Sequence, residues 1–82
     1  MSILVTGAAG FIGSNFVLNW LKKNKEKIIA LDKLTYAGNL ENLKSVENKA
    51  NYEFVQGDIG DPELIAKSLK EYEPRAIVNF AA

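Results

Sequence analysis

The sequence lacks several residue types on which common active sites depend. It contains no cysteine and no histidine among its 82 residues. Without cysteine there is neither a disulfide framework nor a thiolate nucleophile. Without histidine there is no Ser-His-Asp triad, no histidine-based metal site and no imidazole acid–base catalyst. No sign of charge is in excess, since ten Lys and Arg residues balance ten Asp and Glu residues, whereas a nucleic-acid-binding domain usually carries a basic excess.

Long apolar runs are missing as well. No stretch reaches the 18 or more apolar residues that span a bilayer. The amino terminus enters an apolar run at residues 3–6 without a preceding basic region, which is unlike a signal peptide. The content of 48% hydrophobic and 24% charged residues is typical of a soluble globular chain. We therefore expect a cytoplasmic protein that binds neither membranes nor nucleic acids.

Four short apolar runs alternate with helical patterns. The runs lie at residues 3–6, 28–31, 52–55 and 76–80. Three are continuous, as in strands covered on both faces of a parallel sheet, whereas Glu53 interrupts the third, which we place nearer an edge. Alternating strands and helices favour right-handed crossovers. The predicted fold class is therefore α/β, a four-stranded parallel sheet with flanking helices, and we expect a partial Rossmann fold with the strand order 3-2-1-4.

Helical patterns occupy all three connections between these runs. Before the last helix, Asp61 is a suitable N-cap and Pro62 suits the first helical position, while Pro74 ends the pattern. The middle connection, residues 39–46, predicts a short helix that Asn39 would cap. The predicted apolar stripes are Ile12, Phe16, Val17, Trp20 and Leu21 in the first helix, and Leu64, Ile65, Ser68, Leu69 and Tyr72 in the last.

The segment at residues 6–13, TGAAGFIG, follows the first predicted strand and opens the first helix. This is the context of a dinucleotide-binding fingerprint, here with the spacing G-x-x-G-x-x-G. Gly7 permits a tight turn, Gly10 lets a pyrophosphate approach the backbone, and Gly13 lets the helix pack closely. A glycine-rich turn without a ligand has the same pattern, and no Gly-Lys-Ser/Thr of a Walker motif follows. The N–H groups that would point at the phosphates lie near Phe11 and Ile12.

A carboxylate at the end of the second run strengthens the case for a dinucleotide. Asp32 lies nineteen positions after Gly13, close to where the fold places the residue that binds the adenosine ribose hydroxyls. A carboxylate there also repels a 2′-phosphate, which favours NAD over NADP. Lys33 weakens that charge argument and leaves the preference open. The alternative for Asp32 is a solvated turn residue.

Two further segments follow predicted strands at the same edge of the sheet. Asp58 could contact the adenine amine with Ile59 against the ring, or could serve only as a turn or capping residue. The small residues of the segment 80–82 would let a cofactor lie across the carboxyl ends of the strands, or could simply end the fourth strand.

These residues carry a resemblance to a known family. Residues 6–13 resemble the fingerprint of the extended short-chain dehydrogenases/reductases that act on nucleotide sugars. Residues 31–39, LDKLTYAGN, are more specific and resemble the dTDP-glucose 4,6-dehydratase family more than the UDP-glucose 4-epimerases. Gly57-Asp58-Ile59 and Phe80-Ala81-Ala82 fit the same family, so the resemblance covers the whole chain.

The resemblance implies a lyase that uses NAD and a dTDP-sugar substrate and forms a homodimer at full length. In that family NAD oxidises the sugar at C4, water leaves across C5 and C6, and the hydride returns at C6. The resemblance also implies cofactor contacts besides those of the glycines. Phe11 and Ile12 would contact the pyrophosphate, and the adenosine ribose would lie along Asp32, Lys33, Leu34 and Thr35. Adenine would contact Asp58 and Ile59, and the residues beneath the pyrophosphate and the nicotinamide ribose would be Phe80, Ala81 and Ala82.

The family's catalytic residues do not appear in the sequence. A Tyr-x-x-x-Lys pair is missing, since Tyr36, Tyr52 and Tyr72 are followed at the fourth position by Leu40, Gln56 and Ala76. We therefore interpret residues 1–82 as the amino-terminal part of an NAD-binding Rossmann domain, without the later strands and the substrate domain. Alone, it is expected to be inactive. It is also expected to be marginally stable or self-associating, since so short a chain buries only about 60–65% of its extended surface.

Three alternatives stay open from the sequence. The first is another enzyme of the same superfamily, such as a UDP-sugar 4-epimerase or a decarboxylase. The second is a non-catalytic NAD-sensing module that keeps the glycine turn without the catalytic pair. The third is an α/β scaffold with no ligand.

Overall fold

Strands and helices alternate along the chain in the computed structural model, which describes residues 1–34 and 40–80. A 3₁₀ helix takes the place of the middle connecting helix, which the sequence predicted to be short. The elements are β1 (Ser2–Thr6), α1 (Phe11–Lys23), β2 (Lys27–Asp32), the 3₁₀ helix (Leu40–Val46), β3 (Tyr52–Gln56), α2 (Pro62–Tyr72) and β4 (Ala76–Asn79). Asn39, the predicted cap of the middle helix, lies outside the described residues.

The four strands form one parallel sheet in the order β3-β2-β1-β4, which confirms the predicted fold class. The register aligns Thr6 with Leu31 of β2 and with Asn79 of β4, and aligns Asp32 with Gln56 of β3. The carboxyl ends of all four strands therefore meet at one edge of the sheet. Among these strands β3 lies at an edge, as the interruption by Glu53 suggested.

Helices cover the sheet on both faces. On one face α1 and the 3₁₀ helix pack over the apolar side chains of β1 and β2, and on the other face α2 does so. Because both central strands are covered twice, their side chains are almost entirely buried and their sequence shows no alternation. The fully buried side chains include Ile3, Leu4, Val5, Val17, Ile28, Ile29, Leu31 and Leu43.

The buried side of α1 agrees with the predicted stripe except at its start. Val17 and Leu21 are buried together with Gly13, whereas Ile12, which the sequence placed in the core, is 67% exposed. Ile12 lies in the first turn of α1, beyond the edge at which the strands end. The other predicted members of the stripe are half-buried: Phe16 and Trp20.

The start and end of α2 agree with the sequence prediction. The Asp61 carboxylate accepts hydrogen bonds from the N–H groups of Glu63 and Leu64 at 3.1 and 3.3 Å, and Pro62 occupies the first helical position. Asp61 thereby satisfies donors that have no partner within the helix. The helix ends one residue before Glu73, which adopts a left-handed conformation with φ 45°.

The face of α2 that packs on the sheet follows the i, i+4 rule from Leu64 to Ser68 and Tyr72, while the predicted member Leu69 is exposed on its flank. The Tyr72 hydroxyl donates to the Glu53 carboxylate, which also accepts from Lys27 Nζ at 3.0 Å. These bonds lower the pKa of Glu53, with the tyrosine as the larger cause, and the same bond raises the pKa of Tyr72.

No helix within residues 1–34 and 40–80 combines the length and the apolar character needed to cross a membrane.

Candidate coenzyme site at the carboxyl edge of the sheet

The predicted glycine turn connects β1 to α1 at the edge where the strands end. Gly7 has φ 69°, the left-handed conformation that glycine adopts without steric cost. The N–H of Gly10 donates to the Gly7 carbonyl at 3.4 Å, and the Ala8 N–H donates to the Leu31 carbonyl of β2 at 3.3 Å. Ala8 and Ala9 are fully buried. The turn is therefore packed into the fold rather than a loose surface loop.

Gly13 is required by the close approach of α1 to this turn. A Cβ atom at Gly13 would lie 2.1 Å from the Gly7 carbonyl oxygen and 3.0 Å from the Ala8 Cα atom. Both neighbours are backbone, which cannot move aside as a flexible side chain can. Gly13 thus permits close packing as predicted, but the backbone that it approaches is the turn and not the strand.

The amino terminus of α1 is suited to an anion. Gly10 is the N-cap residue in an extended conformation, so no side chain caps the helix, and its first turn contains no acidic residue. The positive end of the helix dipole is thus not neutralised locally. Phe11 and Ile12, the residues predicted at the pyrophosphate, are 80% and 67% exposed. Their exposure leaves the first turn of the helix accessible from solvent.

Asp32 ends β2 directly beside the glycine turn. Its Oδ2 atom accepts a hydrogen bond from the Ala9 N–H at 2.8 Å, and its Oδ1 atom accepts one from the Leu34 N–H, also at 2.8 Å. Asp32 is only 8% exposed, so the alternative of a solvated turn residue is wrong. An ionised carboxylate has about four acceptor positions. Two of these are used by the backbone, which leaves capacity for ligand hydroxyl groups.

A second side chain, for which no sequence pattern was a signal, reaches the same turn. The Asn42 amide in the 3₁₀ helix donates from Nδ2 to the Ala9 carbonyl at 3.0 Å. Ala9 therefore has both of its backbone polar groups bound by side chains, its N–H by Asp32 and its carbonyl by Asn42. No short-range pattern connects these three positions, because the contacts depend on the crossover from β2 to β3.

Asp58 follows β3 and lies beside the loop after β2. Its Oδ1 atom accepts from the Gly60 N–H at 2.8 Å, and its Oδ2 atom lies 3.3 Å from Lys33 Nζ. The hydrogen bond from Gly60 lowers the pKa of Asp58, and Lys33 lowers it further. The turn role that the sequence left open is therefore present. Ile59, its predicted companion, is 38% exposed.

The backbone of Phe80 lies at the edge, and its partly buried side chain packs against the core. Its N–H donates to the Thr6 carbonyl at 2.9 Å, and its ring centroid lies 5.5 Å from that of Phe16. Nearby, the Thr6 hydroxyl donates to Asn79 Oδ1 at 2.6 Å and connects the ends of β1 and β4. The remaining predicted contacts lie outside the described residues: Thr35, Ala81 and Ala82.

The described residues contain no group of three potential metal ligands close enough to hold a metal ion. What the edge of the sheet offers is an uncapped helix start, a glycine turn and a buried carboxylate in contact with that turn. This arrangement is suited to a ligand that has phosphates at one point and hydroxyl groups a few ångströms away.

Comparison with known proteins gives consistent results. A family described as GDP-mannose 4,6 dehydratase matches residues 4–82. A dTDP-glucose 4,6-dehydratase of Xanthomonas campestris is 53% identical over 79 residues, which are 96% of this chain and 22% of that protein. The crystal structure of the Bacillus anthracis dTDP-glucose 4,6-dehydratase in complex with NAD has 54% identity and a TM-score of 0.96 over 100% of this chain and 27% of that one.

A UDP-glucose 4-epimerase of Thermotoga maritima, solved with UDP-glucose, is less similar. It has 35% identity and a TM-score of 0.85 over 100% of this chain and 24% of that one. The chain thus spans roughly a quarter of the length of the relatives and structures that it matches.

Proposed function

Since the chain belongs to the GDP-mannose 4,6-dehydratase family, we propose that it is the NAD-binding portion of a dehydratase that converts dTDP-glucose to dTDP-4-keto-6-deoxyglucose. Residues 1–82 form the amino-terminal part of the Rossmann domain. The remaining strands and the substrate domain belong to the roughly three quarters of the relatives' length that this chain does not span. The activity, a lyase reaction, is that of the whole enzyme.

The observation that carries the proposal is the contact between the Asp32 carboxylate and the glycine turn, 2.8 Å from Oδ2 to the Ala9 nitrogen. It places the predicted ribose-binding group next to the predicted phosphate-binding turn. A dinucleotide needs both within the reach of one adenosine diphosphate moiety.

Different residues would bind different parts of the coenzyme. Gly10 leaves room for the pyrophosphate at the start of α1, where Phe11 and Ile12 supply N–H groups, and Gly7 and Gly13 hold the turn in shape. Asp32 accepts from the ribose hydroxyls through its two remaining acceptor positions. When bound, NAD supplies a hydride acceptor.

The geometry around Asp32 also supports NAD rather than NADP. The cation that could have offset the carboxylate, Lys33, is directed to Asp58, with 3.3 Å between Nζ and Oδ2. In this arrangement a 2′-phosphate would meet the charge of Asp32, while Lys33 is paired with another carboxylate. We propose adenine contacts from Asp58 and Ile59, with Leu34 and Thr35 beside the ribose and Phe80, Ala81 and Ala82 beneath the pyrophosphate and nicotinamide ribose.

The dehydratase is favoured over an epimerase because identity and structural similarity are both higher for the dehydratases than for the epimerases. We further propose that the whole enzyme is a cytoplasmic homodimer. The 82-residue chain alone is expected to be inactive because its sequence contains no Tyr-x-x-x-Lys pair.

Two measurements test the proposal. Isothermal titration of the complete natural chain that contains these residues should show binding of NAD, with much weaker binding of NADP. Incubation of the same protein with dTDP-glucose should yield the 4-keto-6-deoxy product, and the 82-residue chain alone should yield none. Equal affinity for both coenzymes would contradict the role of Asp32, and UDP-sugar epimerisation without dehydration would favour the alternative enzyme.

A further inference from the structure

We infer that Asn42 is a positioning residue for the pyrophosphate of the coenzyme, acting through the peptide between Ala9 and Gly10. The inference rests on the proposed function. Asn42 does not itself touch the coenzyme. Its amide nitrogen donates to the Ala9 carbonyl at 3.0 Å, and this carbonyl belongs to the same planar peptide unit as the Gly10 N–H.

Because that peptide is planar, a hydrogen bond to its carbonyl also fixes the direction of its N–H. With the Ala9 carbonyl held toward Asn42, the Gly10 N–H points the other way, into the turn, where it donates to the Gly7 carbonyl at 3.4 Å. That bond is long, so it fixes the peptide weakly. If the peptide rotated by half a turn, its carbonyl oxygen would face the Gly7 carbonyl oxygen, so the turn that we assign to the phosphates would not keep its shape.

The position of Asn42 is itself well determined. The next residue in the 3₁₀ helix, Leu43, is 1% exposed, and Val46 one turn later is 6% exposed, both in the core beneath α1. The 3₁₀ helix is thus anchored on the same layer that carries the glycine turn. Asn42 reaches from this anchored backbone to a residue 33 positions earlier in the chain.

Within residues 1–34 and 40–80, the fully buried Ala9 has both backbone polar groups bound by side chains: its N–H donates to Asp32 and its carbonyl accepts from Asn42. A buried carbonyl that loses its donor is costly. Removal of the Asn42 amide therefore favours other orientations of the peptide. If the coenzyme binds only one orientation, its apparent affinity falls in proportion to the fraction of molecules that still have that orientation.

The test compares three variants of the complete natural chain that contains these residues. Asn42→Asp keeps the shape of the side chain but replaces its donor with a charged acceptor, and Asn42→Ala removes the group. Asn48→Asp makes the same chemical change at another exposed asparagine, after the 3₁₀ helix, and is the matched control. Each is titrated with NAD and with adenosine, which has no phosphate.

We expect Asn42→Ala to raise the Kd for NAD about threefold and Asn42→Asp to raise it about tenfold or more, the range that one lost hydrogen bond permits. The Kd for adenosine should change less than about twofold, and Asn48→Asp should match the unchanged protein. Thermal unfolding of each variant shows whether it is folded. If Asn42→Asp fails to fold, the test is made with Asn42→Ala, by comparing its change in Kd for NAD with its change in Kd for adenosine.

The outcomes separate the two proposals. If the unchanged protein binds no NAD, the proposed function is wrong and the inference falls with it. If it binds NAD but the Asn42 variants bind like Asn48→Asp, only the role of Asn42 is refuted. An equal loss for NAD and adenosine would also refute that role, because it would indicate a general loosening rather than a displaced phosphate site.

Discussion

The replacement of Asp32 by asparagine tests most directly how the carboxylate shapes the fold and the site. The substitution preserves the size of the side chain and one carbonyl oxygen, but turns the other oxygen into an NH₂ group. In the structure each carboxylate oxygen accepts one backbone N–H at 2.8 Å, from Ala9 and from Leu34. After Asp32→Asn one of these donors must face another donor.

The magnitude follows from burial. Asp32 is 8% exposed, so water cannot replace the lost partner at full strength. A hydrogen bond to a charged group contributes about 1.5–3 kcal/mol, and a buried donor left unpaired costs about 1–3 kcal/mol. Because these two effects overlap, we expect Asp32→Asn to lower the free energy of unfolding by about 2–4 kcal/mol.

The assay is urea unfolding of the complete natural chain at pH 7, followed by circular dichroism. Asp58→Asn is the matched control, because it makes the same change at an exposed carboxylate whose Oδ1 bond to the Gly60 N–H an asparagine retains. Its unfolding midpoint should stay close to that of the unchanged protein. Equal midpoints for Asp32→Asn and Asp58→Asn would refute the reasoning.

Coenzyme titration of the same variant separates the two roles of Asp32. With the charge removed, NAD should bind about tenfold more weakly or worse, since one charge-assisted hydrogen bond is lost. NADP should lose less, because its 2′-phosphate no longer meets a carboxylate. A ratio of NAD to NADP affinity that does not change would show that Asp32 supports the turn without contacting the ribose.

Three further predictions concern other contacts. Gly13→Ala should abolish NAD binding and destabilise the protein by about 2 kcal/mol or more, since its Cβ would lie 2.1 Å from the Gly7 oxygen; NAD titration and urea unfolding measure both. Asp61→Ala should cost about 1 kcal/mol in urea unfolding through loss of the α2 cap, and Asp61→Asn should recover most of it. Tyr72→Phe should reduce the loss of stability on acidification. The lowered pKa of Glu53 contributes stability that is present above the pKa of the unfolded state and is lost as the pH falls through the pKa of the folded state. The free energy of unfolding, measured between pH 3 and 7, should therefore change less with pH in the variant than in the unchanged protein.

The strands were predictable because they depend on local pattern, and the sheet order because alternating strands and helices with a glycine fingerprint are typical of the Rossmann topology. Both central strands are buried on two faces, so their apolar runs are continuous, and the single Glu53 in the third run placed β3 correctly at an edge. The glycine turn was equally clear, since a positive φ at Gly7 and a close approach at Gly13 are requirements that no other residue meets as easily.

Features set by tertiary contact were not predictable in this way. Periodicity selected Ile12 for the core of α1 together with Val17 and Leu21, but Ile12, in the first turn of the helix, is exposed whereas the other two are buried. The bond from Asn42 to Ala9 connects segments on either side of a strand, and no spacing rule relates them. That bond depends on a contact between segments distant in the sequence.

Asp32 connects the stability of the fold to the choice of coenzyme. A ribose-binding residue that only touched solvent could be exchanged for a neutral one without structural cost, and the coenzyme preference could change by single substitutions. Here the same two oxygens that we assign to the ribose also hold Ala9 and Leu34. A change toward NADP must therefore first supply another acceptor for the Ala9 N–H, and a substitution at Asp32 alone should lose stability before it gains a new preference.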